Sequence, residues 1–248
     1  MGSTFVISDI HGHLADLREV LLDAGLVDAE GRWVGGESTL WILGDLVDRG
    51  PEGIGVIRFV RSLQQQAPAA VHVLMGNHES LMLGQKLFPG TRFTDVWAIN
   101  GGLSSDQDAL TDDEVSWLRG LPLVALVGDQ LLMHSDTTEY LGWGGSIEEI
   151  NATVAAVLAD ADPQQHFDVF AALTTRYDFL GPKGPDVARE VLSQLGGSRI
   201  VHGHSIIGSL IDVPSPQVDG PLLYADGLAV GIDGGRYDGG PLLLLRLE

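Results

Sequence analysis

Three short apolar runs constrain this chain more than any other feature. "TFVIS", "TLWIL" and "AAVHVLM" each pass directly into residues able to bind a metal or move a proton: "DIHGH", "GDLVDRG" and "GNHE". Between them the apolar period changes. "HLADLREVLLDAGL" places Leu14, Leu17, Leu21 and Ala24 at helical spacing, and "PEGIGVIRFVRSLQQQ" opens on Pro51, a favourable first-turn residue. Strand, helix, strand, helix, strand predicts βαβ units and a parallel sheet. Such sheets bind ligands beyond the carboxyl ends of their strands. Asp9, Asp45 and Asn77 therefore stand where the sheet exposes its working rim.

Farther along, "ESLMLGQKL" reads as a helix and "FPGTRFTDVWAINGGLSSDQD" as a polar loop. A helix or loop insertion is expected around residues 80–120. Thr111 and Glu114 form a capping box at the start of "TDDEVSWLRGLP". "LVALVGDQLLMH" reads as a hairpin turning at Gly128-Asp129 and ending at His134. Helices are expected in "SIEEINATVAAVLADAD", "QQHFDVFAALTTRYDFL" and "DVAREVLSQLGG", and strands in "SRIVHGHS", "LAVGIDGG" and "GPLLLLRLE". No repeat or linker interrupts them, so residues 1–248 are expected to form one domain.

Composition removes several classes of function. The formal charge is −20, from 14 basic and 34 acidic residues, which repels nucleic-acid phosphates and anionic membranes. No run of about 18 apolar residues exists to span a bilayer. The start lacks the basic and apolar regions of a signal peptide, so the expected location is the cytoplasm. There is no cysteine, so any metal must be held by His, Asp, Glu or Asn.

Asp9, His11, Asp45, Asn77, His134 and His204 all follow apolar runs. One such histidine is ordinarily a hydrogen-bonded structural residue; five segments delivering ligand types to one edge suggest a two-metal centre. A shared carboxylate can hold two cations roughly 3.5–4 Å apart, and Asp45 is the natural bridge. Asp9 and His11 would complete one site, and Asn77, His134 and His204 the other. Water bound there would become hydroxide near neutral pH and attack phosphorus. Mixed nitrogen and oxygen ligands suit two divalent or mixed-valence ions, manganese first, with iron, zinc or cobalt as alternatives. Arg49 could grip two phosphate oxygens. Asp48 could hydrogen-bond His78 and keep it protonated as a general acid.

Together "SDIHGH", "GDLVDRG", "GNHE", His134 and "VHGHS" resemble the calcineurin-like metallophosphoesterases. "GDLVDRG" and "GNHE" resemble most the phosphoprotein phosphatase branch, which includes protein serine/threonine phosphatases and bacterial diadenosine tetraphosphatases. "W-x-x-N-G-G" from Trp97 to Gly102 resembles bacterial members. The resemblance implies an α/β fold, a four-layer α/β/β/α sandwich, and the same two ligand sets. It makes His78 the acid with Asp48 as its partner, and Arg49 a phosphate binder. Arg176 resembles the second phosphate-binding arginine; its bland reading is a surface residue in an ordinary ion pair. The implied activity is hydrolysis of phosphomonoesters, with phosphoserine or phosphothreonine in proteins as the leading substrate. A dinucleoside polyphosphate of the diadenosine tetraphosphate type is the alternative. The expected partner is thus a phosphorylated protein or a small phosphate ester, not nucleic acid or membrane.

Two departures bear on specificity. Ser135 and Asp136 follow His134 where the family has small residues, so Asp136 either adds charge beside an anionic substrate or turns away. Ile206 stands where related nucleases have a second histidine. His13 and His202 could line or support the site, His72 and His166 read as structural, and Asp233 as a turn former.

Overall fold

The computed structural model describes residues 2–247. The first half runs β1 (Thr4–Ile7), α1 (Leu14–Asp23), β2 (Thr39–Ile42), α2 (Gly53–Gln66), β3 (Val71–Val73) and α3 (Asn77–Leu87). Three further helices follow, α4 (Arg92–Ile99), α5 (Ser104–Ala109) and α6 (Asp112–Arg119), then the hairpin β4 (Val124–Val127) and β5 (Gln130–Met133). Next come α7 (Ile147–Ala159), α8 (Pro163–Thr174), α9 (Gly184–Leu195), β6 (Arg199–His202), α10 (Ile207–Ile211), β7 (Leu222–Tyr224), β8 (Ala229–Gly231) and β9 (Leu244–Leu247).

Two sheets result. The first has the order β3-β2-β1-β9, parallel except for β9. The second has the order β4-β5-β6-β8-β7, with a parallel centre and antiparallel edges. Val6, Leu43 and Leu74 from the first meet Leu132, Val201, Val230 and Ile232 from the second in a buried layer. Each such apolar side chain stabilises by roughly 1.5–3 kcal/mol relative to exposure. On the outside, α2 packs on β3, α7 on β4 and α9 on β6. Ile54, Ile57, Val60 and Leu63 form the buried stripe of α2, and Ala188, Val191 and Leu195 that of α9. The architecture is the expected α/β fold, two sheets between layers of helices. No helix among the described residues is long and apolar enough to cross a membrane.

Several expectations need correction. The polar stretch read as a loop contains α4 and α5. Its helical signal is weak because only Phe93 and Trp97 of α4 are buried; they pack with Leu81 of α3 and Phe170 of α8. The segment "QQHFDVFAALTTRYDFL" is not one helix: α8 ends at Thr174, which puts Arg176 in a loop. Asn77 and His78 are the first turn of α3, with Gly76 as N-cap, so the rim residues after β3 are already helical.

Candidate metal centre

The loops after the parallel strands all reach one rim. Those after β1 and β2 are zipped together by their backbones: His11 N–H donates to Asp45 O at 2.8 Å and Gly12 N–H to Leu46 O at 2.8 Å. The conformation is strained. Asp9, His11, Asp45, Asp48 and Arg49 have φ of 52°, 45°, 55°, 63° and 68°, a left-handed region costly for residues with a Cβ. Gly44, with φ of 97°, is needed for a second reason: a Cβ there would strike the backbone of Gly76.

Asp45 lies at the middle and is buried. Its Oδ2 is 3.5 Å from His11 Nε2 and its Oδ1 is 3.4 Å from His134 Nε2. Two groups of potential ligand atoms share it, His11–Asp45–His78 and Asp45–His134–His204, each with all its atoms within 4.8 Å of one another. Asp9 Oδ1 stands 3.9 Å from His11 Nε2, while Asp9 Oδ2 accepts the His204 backbone N–H at 2.8 Å. Asn77 Oδ1 lies 2.9 Å from His134 Nε2. Turned over, the Asn77 amide would donate to His134 Nε2 at 2.9 Å, to His204 Nδ1 at 3.1 Å and to both oxygens of Asp45 at 3.1 and 3.2 Å. The amide end thus faces a ring of acceptors.

Four imidazoles meet here, and their outer nitrogens differ. His11 Nδ1 bonds Val47 O at 3.0 Å, His134 Nδ1 bonds Leu43 O at 2.8 Å, and His204 Nε2 bonds Thr174 O at 3.0 Å. A carbonyl can only accept, so the ring nitrogen bonded to it carries the proton and each inner nitrogen is left as a lone-pair donor, the arrangement a metal ligand requires. His78 is the exception. Its Nδ1 lies 2.8 Å from Asp48 Oδ2, and its buried Nε2 has no hydrogen-bond partner, 4.0 Å from Asp45 Oδ2.

Burial pushes His11, His78 and His204 well below the ordinary histidine pKa, with neighbouring cationic groups adding to it. For His78 those neighbours are Arg49, His134 and Arg176. Burial also lifts Asp48 to about 7. Desolvation thus acts against charge on both members of the pair. The expected contact is present, and it holds His78 Nδ1 on Asp48 so that Nε2 faces inward.

Acid is crowded here. Asp9, Asp45, Asp48, Glu79 and Asp233 are all buried, and among the described residues none forms an ion pair with lysine or arginine. Desolvation, then the charges of Asp9 and Glu79, raise Asp45 well above the usual carboxylate range; desolvation, then Asp9, raises Asp233. Converging lone pairs and uncompensated carboxylates fit a pair of divalent cations.

Arg49 and Arg176 flank the cluster, and neither forms an ion pair among the described residues. Arg49 N–H donates to Gly101 O at 2.9 Å, and its Cζ lies 3.9 Å from the centre of the Tyr237 ring. Its charge lowers His11 and His78; that of Arg176 lowers His78, His134 and His204. Both arginines act on His78 and on Asp233. Arg176 is not the surface ion-pair residue of its bland reading.

Some contributions were not read from the sequence. Glu79, the last residue of "GNHE", accepts backbone N–H groups from Asp45 at 2.8 Å, Leu46 at 2.7 Å and Gly76 at 2.9 Å. It fixes the loop that carries the shared aspartate; its position three residues after the N-cap was the available signal. Trp97 directs its indole N–H at Asp48, the main influence opposing the rise in that group's pKa, without closing to hydrogen-bond geometry. Asp136 turns away from the centre, accepting hydrogen bonds from Ser205 Oγ and, at 3.3 Å, Tyr224 OH. Tyr224 OH also meets His202 Nε2 at 2.7 Å, which ties His202 into the same buried network. Asp233 forms the expected turn, accepting Gly235 N–H at 2.8 Å.

A sequence model described as calcineurin-like phosphoesterase matches residues 3–208. The chain belongs to that family. One relative, a symmetrical bis(5′-nucleosyl)-tetraphosphatase of Pectobacterium carotovorum subsp. carotovorum strain PC1, is 33% identical over 136 residues. That match takes in 53% of this chain and 41% of the relative, so the chain spans about two fifths of the length of the curated protein it resembles. Among solved structures, a cold-active protein-tyrosine phosphatase of a psychrophilic Shewanella species superposes with a TM-score of 0.72 at 25% identity, covering 100% of this chain and 76% of its own. A putative diadenosine tetraphosphatase superposes with a TM-score of 0.57 at 17% identity, covering 99% and 93%.

Proposed function

We propose that this phosphoesterase cleaves a phosphoanhydride bond of a dinucleoside polyphosphate, using two metal ions that share Asp45. The observation that carries the two-ion reading is the meeting of two ligand groups on one carboxylate. Its sequence likeness to a named symmetrical tetraphosphatase favours this substrate over the phosphoprotein that the motifs placed first.

Asp9, His11 and Asp45 would hold one ion, and Asp45, Asn77, His134 and His204 the other. Manganese is the first choice; iron, zinc and cobalt suit the same donors. When bound, the ions supply Lewis acidity and water activation near neutral pH. The chain's own residues do the rest. Arg49 and Arg176, free of carboxylate partners, can donate to phosphate oxygens from two sides. His78, held through Nδ1, presents Nε2 toward the leaving oxygen. It donates only after taking up a second proton, and the negative charge of a bound polyphosphate favours that uptake. We further propose that residues 1–248 work as one catalytic domain.

A phosphoprotein remains a second reading, favoured by the whole-chain likeness to a protein-tyrosine phosphatase. The test is a side-by-side assay of manganese-loaded protein on diadenosine tetraphosphate, a phosphopeptide and a small aryl phosphate. Diadenosine tetraphosphate should give the highest kcat/KM, by tenfold or more, with two ADP formed as water adds across the central anhydride. A phosphopeptide preference of that size would replace this reading with the second one.

A further inference from the structure

The chain has seven Phe, five Trp and four Tyr. Among these aromatic side chains only two are exposed, Tyr177 at 43% and Tyr237 at 39%. Each adjoins one of the two site arginines. The Tyr237 ring lies 3.9 Å from Arg49 Cζ and edge-on to His11, at 5.1 Å between ring centres. The Tyr177 ring lies 5.9 Å from Arg176 Cζ. Thr174, three residues before Tyr177, supplies the carbonyl that pins His204.

Both tyrosines are presented by backbone that is fixed through their neighbours. Asp178 Oδ2 accepts Thr137 Oγ1–H at 3.0 Å, Thr138 N–H at 2.7 Å and Thr138 Oγ1–H at 3.0 Å. Arg236 Nε donates to Asp16 Oδ2 at 2.6 Å, and Ser215 Oγ to Asp238 Oδ2 at 2.8 Å. Tyr177 itself has φ of 77°, a conformation costing on the order of 1–3 kcal/mol that glycine would avoid. A large ring is kept there against strain and faces solvent, and no packing role accounts for it. Tyr237 lies beyond residue 208, where the family match ends.

A guanidinium beside an exposed aromatic ring suits a ligand in which a phosphate and a flat ring are close together. We propose that Tyr177 and Tyr237 are stacking platforms for the nucleobases of a nucleotide substrate, one at each end of the phosphate site. This rests on the reading of the substrate as a dinucleoside polyphosphate, which has a base at each end. Stacking on an aromatic side chain is sequence-tolerant, so the platforms would accept different bases.

The test compares two non-hydrolysable probes by calorimetry on the metal-loaded full chain: adenosine 5′-(α,β-methylene)diphosphate and methylenediphosphonate, which lacks the base. The nucleotide should bind about tenfold tighter, within the range of one stacked base. The probe has one base and occupies one platform at a time. Tyr177→Leu and Tyr237→Leu should therefore each lower that advantage by the share bound on that platform, about twofold for equal platforms, and the double variant should abolish it. Tyr→Phe at either position should keep it, and methylenediphosphonate should bind all variants within twofold of the parent. Equal affinity of the parent for both probes would overturn the proposal. So would Leu variants that weaken both probes alike, since the tyrosines would then merely support the arginines. If a Leu variant does not fold, the unaltered zinc-loaded protein still decides: saturation of adenine H2 and H8 should reach tyrosine ring protons, and its failure to do so overturns the platforms. Diadenosine tetraphosphate turnover is scored separately. Base-dependent binding without turnover would sink the substrate reading and leave the platforms; turnover without base-dependent binding would do the reverse.

Discussion

The two flanks of Asp45 are built by different means. On one side, the loops after β1 and β2 carry His11, Asp48 and Arg49 on left-handed backbone. That strain, on the order of 1–3 kcal/mol at each residue, is offset by cross-loop hydrogen bonds and by the three backbone N–H groups that Glu79 accepts. On the other side only His204 has positive φ among the proposed ligands, at 63°. His134 and His204 are instead fixed by carbonyls of Leu43 and Thr174, which belong to other elements. The strained flank also has the one imidazole bonded to a carboxylate. In the proposed reaction this flank would carry the proton donor and Arg49, while the second would supply Arg176 and the ligands Asn77, His134 and His204.

Asp45→Asn should break both flanks at once. Turnover should fall at least about a thousandfold, on the order of 4 kcal/mol of barrier, and bound metal measured by atomic emission should drop from two ions to one or none. Without metal, the same variant should melt higher than the parent at pH 8. Asp45 is raised in the folded protein, so its stability cost is absent at acid pH, where both states are protonated, and grows as pH rises from 3.8 toward the folded value. Two ions retained by Asp45→Asn would remove the shared carboxylate from the mechanism.

His78→Asn should lower turnover about 10²–10⁴-fold, most for poor leaving groups, with both ions kept. His204→Asn should lose an ion. If His78→Asn loses the ion instead, the difference between the flanks is wrong, and His78 is a ligand of the first group.

Glu79→Gln should cost about 1–3 kcal/mol in urea unfolding, because a single amide oxygen leaves backbone donors unmet. Turnover should drop about 10–100-fold through misplacement of Asp45. Unchanged stability would mean that the strained flank holds its shape unaided. The smallest effect concerns pH. Burial lowers the pKa of His11 and His204 and raises that of Asp45 and Asp233, so as pH falls the carboxylates are the groups that compete with metal for a proton. The gain in Tm on adding manganese should therefore be a few degrees larger at pH 8 than at pH 6.

Much of this was legible in the sequence. The rim residues after β1, β2 and β3 could be placed because each parallel strand announces its carboxyl end by a change from apolar to polar. The same holds for His134 after its hairpin and His204 after β6. The helices α4 and α5 were not legible, because two buried aromatics in a polar stretch leave no period to detect. Nor was the direction of Asp136, which depends on Ser205 and Tyr224, some seventy and ninety residues later. The desolvation of His78 was not legible for a related reason: a nearby carboxylate is visible in the sequence, but burial is not. Tyr177 and Tyr237 emerge only once the burial of every other aromatic is known.

The bond from the His204 amide to Asp9 Oδ2 joins residues 195 positions apart, and His134 reaches across to the end of β2. Neither half of the fold can assemble the centre alone. Capture of the second proposed ion must wait for the two sheets to dock, because Asn77 comes from the first sheet and His134 and His204 from the second. Its affinity thus becomes a gauge of complete folding. A lesion that loosens the interface should shed that ion well before it melts.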